Sequence, residues 1–168
     1  MEKLLSEKEI SAKVRELAEE ICSVSGEKLT IVCALKGAAV FAGDLIREIA
    51  KADGPQVSLE FIVAKSYVGT RSTGKVAVEC RLDLTGKDVL LVEDIVDTGA
   101  TVKEVKRLML EQGARRVRIC TLLDKHACRK HDVELDFVGF QVEDRFLVGY
   151  GMDVDERYRE LPFVAAID

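Results

Sequence analysis

The sequence lacks several features that would place it at once in a common class of protein. No apolar stretch approaches the roughly 18 to 20 residues that a membrane helix needs, and the charged start of the chain has no signal-peptide core. Its 25 basic residues are outnumbered by 30 acidic ones, and the formal charge of −5 argues against a nucleic-acid partner. We therefore expect a cytoplasmic protein whose partners include no membrane and no nucleic acid.

The distribution of cysteine and proline argues against a disulfide-bonded protein and against a chain with linkers between domains. The five cysteines are scattered, odd in number and without a CxxC pair, and three lie in apolar runs. This pattern favours buried reduced thiols over disulfides. Only two prolines and no repeat interrupt the chain, so no linker is visible. We predict a single domain over residues 1–168, long enough to bury most of its apolar surface.

Short apolar runs alternate with stretches of helical periodicity along the chain. Ser6 and Glu9 have the form of a capping box, which predicts a first helix that ends near Gly26. Further helices are predicted over 38–52 and 101–112, and strands over 29–35, 57–63, 76–82, 89–92, 117–123, 137–140 and 146–150. The alternation indicates an α/β fold, a mainly parallel sheet flanked by helices. Such sheets bind ligands beyond the carboxyl ends of their strands.

One segment, residues 89–101, is the most informative about function. A buried strand leads into the adjacent carboxylates Glu93 and Asp94, and then into an Asp-Thr-Gly-Ala-Thr loop that opens a helix. The N–H groups of a helix N-terminus suit a phosphate, and Gly99 lets the backbone approach it closely. The paired carboxylates repel each other and need a cation or hydroxyl donors, so magnesium or a sugar diol would serve. The sequence contains neither a P-loop nor a dinucleotide fingerprint.

The segment Val-Glu-Asp-Ile-Val-Asp-Thr-Gly-Ala-Thr resembles the phosphoribosyl pyrophosphate motif of type I phosphoribosyltransferases. Within that group the chain is similar to the hypoxanthine-guanine phosphoribosyltransferase family, because four further segments match in the family's order. These segments are Leu35-Lys36-Gly37, Lys65-Ser66-Tyr67, Leu123-Asp124-Lys125 and residues 136–159, which include Phe146-Leu147-Val148-Gly149-Tyr150. The resemblance spans about residues 29–168. It implies the type I phosphoribosyltransferase fold with a small hood region formed by the C-terminal segment.

The resemblance also implies which residues hold the phosphates, the ribose and the metal ion. The ribose 5′-phosphate would lie in the loop formed by Asp97, Thr98, Gly99, Ala100 and Thr101. The ribose hydroxyls and Mg²⁺ would bind Glu93 and Asp94, with Asp153 as a further metal-linked acid. The pyrophosphate would contact Lys36, Gly37 and Arg159, with a cis peptide ahead of the lysine. Ala100 stands where some relatives carry lysine, and we expect little effect because backbone N–H groups hold the phosphate.

At the purine, the resemblance assigns proton transfer and base recognition to separate residues. Asp97 matches the family's proposed general base at purine N7. Phe146 would stack on the base, Lys125 would donate to its 6-oxo group, and the backbone of Leu147 would read its edge, with Asp153 nearby. Ser66 and Tyr67 belong to a polar loop at about residues 64–76. That loop would close over the site and exclude water.

The implied activity is magnesium-dependent purine salvage. Hypoxanthine or guanine would react with phosphoribosyl pyrophosphate to give IMP or GMP and pyrophosphate, in a homodimer or homotetramer. Two alternatives stay open. One is a regulatory nucleotide- or RNA-binding protein on the same fold, which should show a broad basic face. The other is a phosphoribosyltransferase for xanthine or another base, because Lys125 and Phe146 favour a 6-oxopurine without ranking hypoxanthine, guanine and xanthine.

Overall fold

A computed structural model describes residues 1–66, 76–79 and 81–167 of the chain. In chain order the described elements are β1 (Glu2–Leu5), α1 (Glu7–Val24), β2 (Lys28–Leu35), α2 (Ala39–Lys51), β3 (Gln56–Ser66), β4 (Val76–Glu79), β5 (Asp88–Val96), α3 (Ala100–Glu111), β6 (Arg116–Asp124), a 3₁₀ helix (His126–Cys128), β7 (Phe137–Gln141), β8 (Phe146–Val148) and β9 (Val164–Ile167). None of these helices has the length and apolar character needed to span a bilayer.

Two sheets organise these elements. The larger sheet has the strand order β4-β3-β2-β5-β6-β7, in which the neighbours from β3 to β7 are parallel and the edge strand β4 is antiparallel to β3. The smaller, antiparallel sheet has the order β1-β9-β8. The predicted α/β fold with a mainly parallel sheet is confirmed. The smaller sheet joins the C-terminal segment to β1, a strand that was not predicted from the sequence.

Helices cover both faces of the larger sheet. Successive strand residues point to opposite sides, and the apolar side chains on each side are buried in a core of their own. On one face Cys33 packs in the same core as Ile10 of α1, and α2 belongs to that core as well. On the other face Val32 packs in a second core with Val105 of α3. The smaller sheet contributes Val164 to the first core. Because both faces are buried, the sequences of the central strands are nearly continuous apolar runs.

The first helix begins at the predicted capping box. The Ser6 hydroxyl accepts the Glu9 N–H at 3.3 Å, and the Glu9 carboxylate accepts the Ser6 N–H at 2.8 Å. Bonds from the Ser6 hydroxyl and backbone lower the pKa of Glu9. The helix ends at Val24 with Ser25 extended, slightly before the predicted stop at Gly26. Local sequence therefore predicts where this helix starts more closely than where it ends.

Replacing Ser6 by Ala should lower the free energy of unfolding by about 0.5–2 kcal/mol, because the Glu9 N–H at the helix start loses its partner. Urea unfolding followed by circular dichroism measures the change. Ser23→Ala is the matched control, since the Ser23 hydroxyl donates to the Glu20 carbonyl and caps no N–H group. Equal losses in the two variants would contradict a capping role for Ser6.

The predicted carboxyl ends of two strands are wrong, those over residues 89–92 and 146–150. β5 does not stop at Val92 but continues to Val96, because its last residues pair with Leu123 and Asp124 of β6. The strand predicted over 146–150 ends at Val148 instead. The next residues, Gly149, Tyr150 and Gly151, have φ values of 95°, 49° and 99°. Positive φ at consecutive residues is incompatible with a strand.

The predicted closing loop over residues 64–76 is described only at its ends. β3 continues to Ser66, so its first residues are strand, and β4 begins at Val76. Tyr67 and the rest of the loop up to residue 75 lie outside the described residues. The closing role of Ser66 and Tyr67 stays a prediction.

Candidate active site

A cleft of about 540 Å³ opens at the carboxyl ends of the central strands. Because β2, β5 and β6 are parallel neighbours, the segments that follow them meet at one edge of the sheet. The segment after β8 forms the remaining wall. The predicted site residues that line this cleft are Lys36, Gly37, Glu93, Asp94, Asp97, Thr98, Gly99, Thr101, Lys125, Phe146, Leu147, Asp153 and Arg159. Ala100, the first residue of α3, is not among the residues that line it.

The loop between β5 and α3 turns sharply at Gly99. This residue is the N-cap of α3 and has a φ of 85°, in the left-handed region that favours glycine. A Cβ at this position would lie 2.8 Å from Cδ of Arg129. Thr98 accepts the Ala100 N–H through its hydroxyl at 3.3 Å. The turn brings the positive end of the α3 dipole to the cleft, where it can attract a phosphate.

A segment after β6 holds the carbonyl groups of this loop. The Thr98 carbonyl accepts the N–H groups of Lys130 and His131 at 2.9 and 3.1 Å. Arg129 donates through Nε to the Asp97 carbonyl at 3.2 Å, and through Nη2 to the buried carboxylate of Asp124. These bonds fix the loop conformation from behind. Arg129 was not predicted from the sequence, because no motif or periodicity marks it.

Glu93 and Asp94 lie near the end of β5, where Glu93 is buried and Asp94 is half-buried. Burial raises the pKa of Glu93 well above its usual range, and the neighbouring Asp94 carboxylate adds to the shift. Burial also raises the pKa of Asp94, against the opposing effects of the Ile95 N–H and the Arg159 guanidinium. Two adjacent carboxylates with little access to water favour a bound cation or hydroxyl donors over two bare charges.

These acids fit a magnesium ion only in part. Mg²⁺ prefers oxygen ligands, usually keeps several waters and is bound by one or two carboxylates together with substrate phosphates. In the part of the chain that the structure describes, no three His, Cys, Asp or Glu side chains are grouped to hold a metal. Glu93, Asp94 and Asp153 therefore do not form a closed metal cage. The arrangement suits an ion that substrate phosphates and water help to ligate.

The loop after β2 lies directly against the acidic pair. The Leu35–Lys36 peptide is cis, as the resemblance implied. Gly37 is in close contact with Asp94, because a Cβ at Gly37 would overlap the Asp94 carboxylate. Lys36 extends from this loop with a side chain that is 67% exposed. The loop thus places an exposed cation near the acidic pair.

Arg159 lies on the opposite wall and is held by several acceptors. Its Nη1 donates to the Gly151 carbonyl at 2.7 Å, and its Nη2 lies 2.9 Å from Oδ1 of Asp153. Its Nε is buried without a hydrogen-bond partner among the described residues. The forked guanidinium suits phosphate oxygens.

The other end of the cleft combines an apolar surface with a buried cation. Phe146 is 56% exposed, whereas Leu147 behind it is buried in β8. Lys125 is only 9% exposed, and its Nζ lies 3.2 Å from Oδ1 of Asp144 and 4.0 Å from Oδ2 of Asp97. This ammonium group lowers the pKa of Asp144. An open ring, a donor and an acceptor thus surround a space at this end of the cleft.

Known proteins share both the sequence and the architecture. Residues 1–155 match the model of the phosphoribosyl transferase domain. The hypoxanthine-guanine phosphoribosyltransferase of Aquifex aeolicus is 42% identical over 98% of this chain and 93% of that protein. The hypoxanthine phosphoribosyltransferase of Salmonella typhimurium is 39% identical over 99% of this chain and 95% of that protein. A crystal structure of a hypoxanthine-guanine phosphoribosyltransferase from Bacillus anthracis has a TM-score of 0.91 and 42% identity, covering 100% of this chain and 99% of that one.

Proposed function

The chain belongs to the hypoxanthine-guanine phosphoribosyltransferases within the phosphoribosyl transferase domain family, and we propose that it is a purine-salvage enzyme. It transfers the 5-phosphoribosyl group from phosphoribosyl pyrophosphate to hypoxanthine or guanine. The products are IMP or GMP and pyrophosphate.

One pair of side chains carries this proposal. The Lys125 ammonium and the Asp97 carboxylate lie 4.0 Å apart at the cleft. A 6-oxopurine that is protonated at N7 presents a matching edge, because its 6-oxo group accepts a hydrogen bond and N7–H donates one. Adenine carries an amino group at position 6, and this would set a donor against the lysine. The exposed ring of Phe146 supplies a flat surface on which the base can stack.

The rest of the cleft supports the same placement of phosphoribosyl pyrophosphate. The loop from Asp97 to Thr101 would bind the 5′-phosphate at the N-terminus of α3. The adjacent carboxylates of Glu93 and Asp94 would accept hydrogen bonds from the ribose hydroxyls. Lys36 and Arg159 would pair with the pyrophosphate, and the backbone at Gly37 would approach it closely. The base would then lie between Phe146 and Lys125, with the backbone of Leu147 at its edge.

The protein acts mainly by positioning its two substrates. The bond from C1′ to the pyrophosphate oxygen breaks as purine N9 bonds to C1′, which passes through an oxocarbenium-like state. Lys36 and Arg159 stabilise the charge on the departing pyrophosphate, and Asp97 accepts the proton from N7. Positioning and charge stabilisation supply most of the acceleration. Proton transfer typically contributes about 100- to 10,000-fold.

Magnesium is the metal that this donor set favours. Glu93, Asp94 and Asp153 would hold it together with substrate oxygens, as their partial site requires. When bound, Mg²⁺ supplies positive charge that neutralises the pyrophosphate. Glu93 and Asp94 would orient the ribose, and Asp153 orients the Arg159 guanidinium, which lies 2.9 Å away.

We also propose that the enzyme works in the cytoplasm as a homodimer or homotetramer. On one face of β3, Leu59, Phe61 and Val63 are 42%, 50% and 40% exposed. Alternate apolar residues on an exposed sheet face commonly mark a protein contact. Cys33 and Cys120 are buried free thiols, which suits a reducing compartment. Light scattering on the purified protein measures the oligomeric state.

The proposed function is tested by nucleotide formation with a panel of bases. The purified protein is incubated with phosphoribosyl pyrophosphate and magnesium, and hypoxanthine, guanine, xanthine, adenine and uracil are offered separately. We expect rapid, magnesium-dependent conversion of hypoxanthine or guanine and none of adenine or uracil. Conversion of xanthine alone would favour the alternative of a phosphoribosyltransferase for xanthine. Binding of phosphoribosyl pyrophosphate without turnover of any base would support the regulatory alternative.

Replacing Lys125 by Ala should raise the KM for hypoxanthine about 10- to 100-fold, because a charge-assisted hydrogen bond of roughly 1.5–3 kcal/mol to the 6-oxo group is lost. The KM for phosphoribosyl pyrophosphate should change little. Lys103→Ala, at an exposed position of α3, is the control for removal of one positive charge. An unchanged KM for hypoxanthine in the Lys125 variant would refute its role in base recognition.

A further inference from the structure

One glutamate links the two cations that are proposed to bind pyrophosphate. Oε2 of Glu156 lies 3.1 Å from Nζ of Lys36, and Oε1 lies 3.2 Å from Nη2 of Arg159. Lys36 is 120 residues away in sequence and reaches Glu156 from the opposite wall of the cleft. Each oxygen of this single carboxylate therefore pairs with a different cation. Two oxygens of a phosphate group could bridge the same two cations.

The backbone at Glu156 has a conformation that glycine normally takes. Val154 and Arg157 exchange N–H to carbonyl bonds of 3.2 and 3.0 Å, which close a two-residue turn. The two central residues, Asp155 and Glu156, have φ values of 51° and 60°. Turns with positive φ at both central positions favour asparagine and glycine. Glutamate is therefore an unusual residue at this position.

Local contacts direct this side chain towards the cleft. The Glu156 N–H donates to Oδ2 of Asp153 at 2.9 Å, and Asp153 in turn pairs with Arg159. The turn, the acid and the arginine thus form one connected unit. Hydrogen bonds from Lys36 and Arg159 lower the pKa of Glu156.

We propose that the Glu156 carboxylate occupies the pyrophosphate position when the site is empty and competes with pyrophosphate for Lys36 and Arg159, an inference that rests on the proposed function. Pyrophosphate must break both ion pairs to bind. Glu156 re-forms them as pyrophosphate leaves, so it lowers the affinity for this product and speeds its release.

The exposure of the partners sets the size of this effect. Lys36 and Glu156 are 67% and 66% exposed, so their pair is screened by water and is readily broken. Arg159 is 27% exposed and keeps its bonds to Asp153 and Gly151 when Glu156 moves away. Pyrophosphate carries more charge than one carboxylate and therefore still binds. The competition changes its affinity by a modest factor and leaves the site intact.

Calorimetric titration with magnesium pyrophosphate tests the inference. Glu156→Gln should bind about three- to tenfold more tightly than the natural protein, because the competing charge is lost while the side-chain shape is kept. Glu156→Gly, which also relaxes the turn, should show a similar gain. Asp155→Asn is the matched control, since it removes one negative charge from the same turn. Asp155 pairs only weakly with Arg157, at 3.9 Å, and its variant should stay within about twofold of the natural protein.

Steady-state kinetics give a second measure of the same competition. Pyrophosphate should inhibit Glu156→Gln at about three- to tenfold lower concentration than it inhibits the natural protein. Structural damage to the site would weaken this inhibition instead of strengthening it. Equal or weaker pyrophosphate binding by Glu156→Gln, in an otherwise active enzyme, would overturn the inference alone. An equal gain in Asp155→Asn would also overturn it, since a general charge effect would then suffice. A natural protein that forms no nucleotide and binds no pyrophosphate would refute the proposed function as well.

Discussion

Replacing Asp97 by Asn should lower kcat for hypoxanthine about 100- to 10,000-fold, the range that proton transfer by a positioned side chain contributes. Asparagine keeps the shape of aspartate but cannot accept the proton from purine N7. The Asp97 side chain is 55% exposed, and Arg129 holds its backbone carbonyl and not its carboxylate. The fold and the 5′-phosphate loop should therefore survive the change, and the KM for phosphoribosyl pyrophosphate should stay within a few-fold.

The control for this variant is Asp53→Asn. Asp53 is exposed at the end of α2 and has a φ of 52°, a conformation that asparagine adopts readily. Its kcat should equal that of the natural protein. If Asp97→Asn retained half of the natural kcat, Asp97 would not be the proton acceptor. The proposed mechanism would then need another base.

Replacing Gly37 by Ala should lower kcat/KM for phosphoribosyl pyrophosphate about 100-fold, the loss that a displacement of about 1 Å can cause at a reacting centre. A methyl group at Gly37 would overlap the Asp94 carboxylate. Either the loop that carries Lys36 or the acidic pair must then move. The carbonyl of Gly37 also packs against Gly151, so the opposite wall resists the shift.

Gly43→Ala separates this effect from the general consequence of adding a methyl group. A Cβ at Gly43 would meet no atom within 4 Å, and the residue is exposed in α2. Alanine in a helix interior is more stable than glycine by roughly 0.5–1 kcal/mol. This variant should therefore be slightly more stable and fully active. Full activity in Gly37→Ala would contradict the close packing of the loop on the acidic pair.

The sheet and most of the cleft could be predicted because their signals are local. The apolar runs of β2, β5 and β6 mark strands that are buried on both faces, and parallel neighbours bring their carboxyl ends together. The acidic pair and the phosphate loop follow one such run directly. Their position beside the loop after β2 could therefore be predicted from the fold class alone, without knowledge of the detailed packing.

The parts that could not be predicted depend on contacts between distant segments. β1 and β9 have only four residues each and are stabilised by pairing with one another. The acidic residues Glu93 and Asp94 interrupt the apolar run of β5, so the sequence predicts that the strand stops before them. Pairing with β6 nevertheless extends the strand to Val96. Arg129 and Glu156 contact groups far away in sequence, the Asp97 carbonyl and the Lys36 ammonium. Neither periodicity nor motif reports such contacts.

A crystal structure of the protein with IMP and magnesium pyrophosphate would test the central claim most directly. We predict that the 5′-phosphate lies against the loop from Asp97 to Thr101 and the purine between Phe146 and Lys125. We further predict pyrophosphate at Lys36 and Arg159, with Glu156 displaced from both. A phosphate bound away from the N-terminus of α3, or a purine remote from Lys125 and Asp97, would contradict this account of the site.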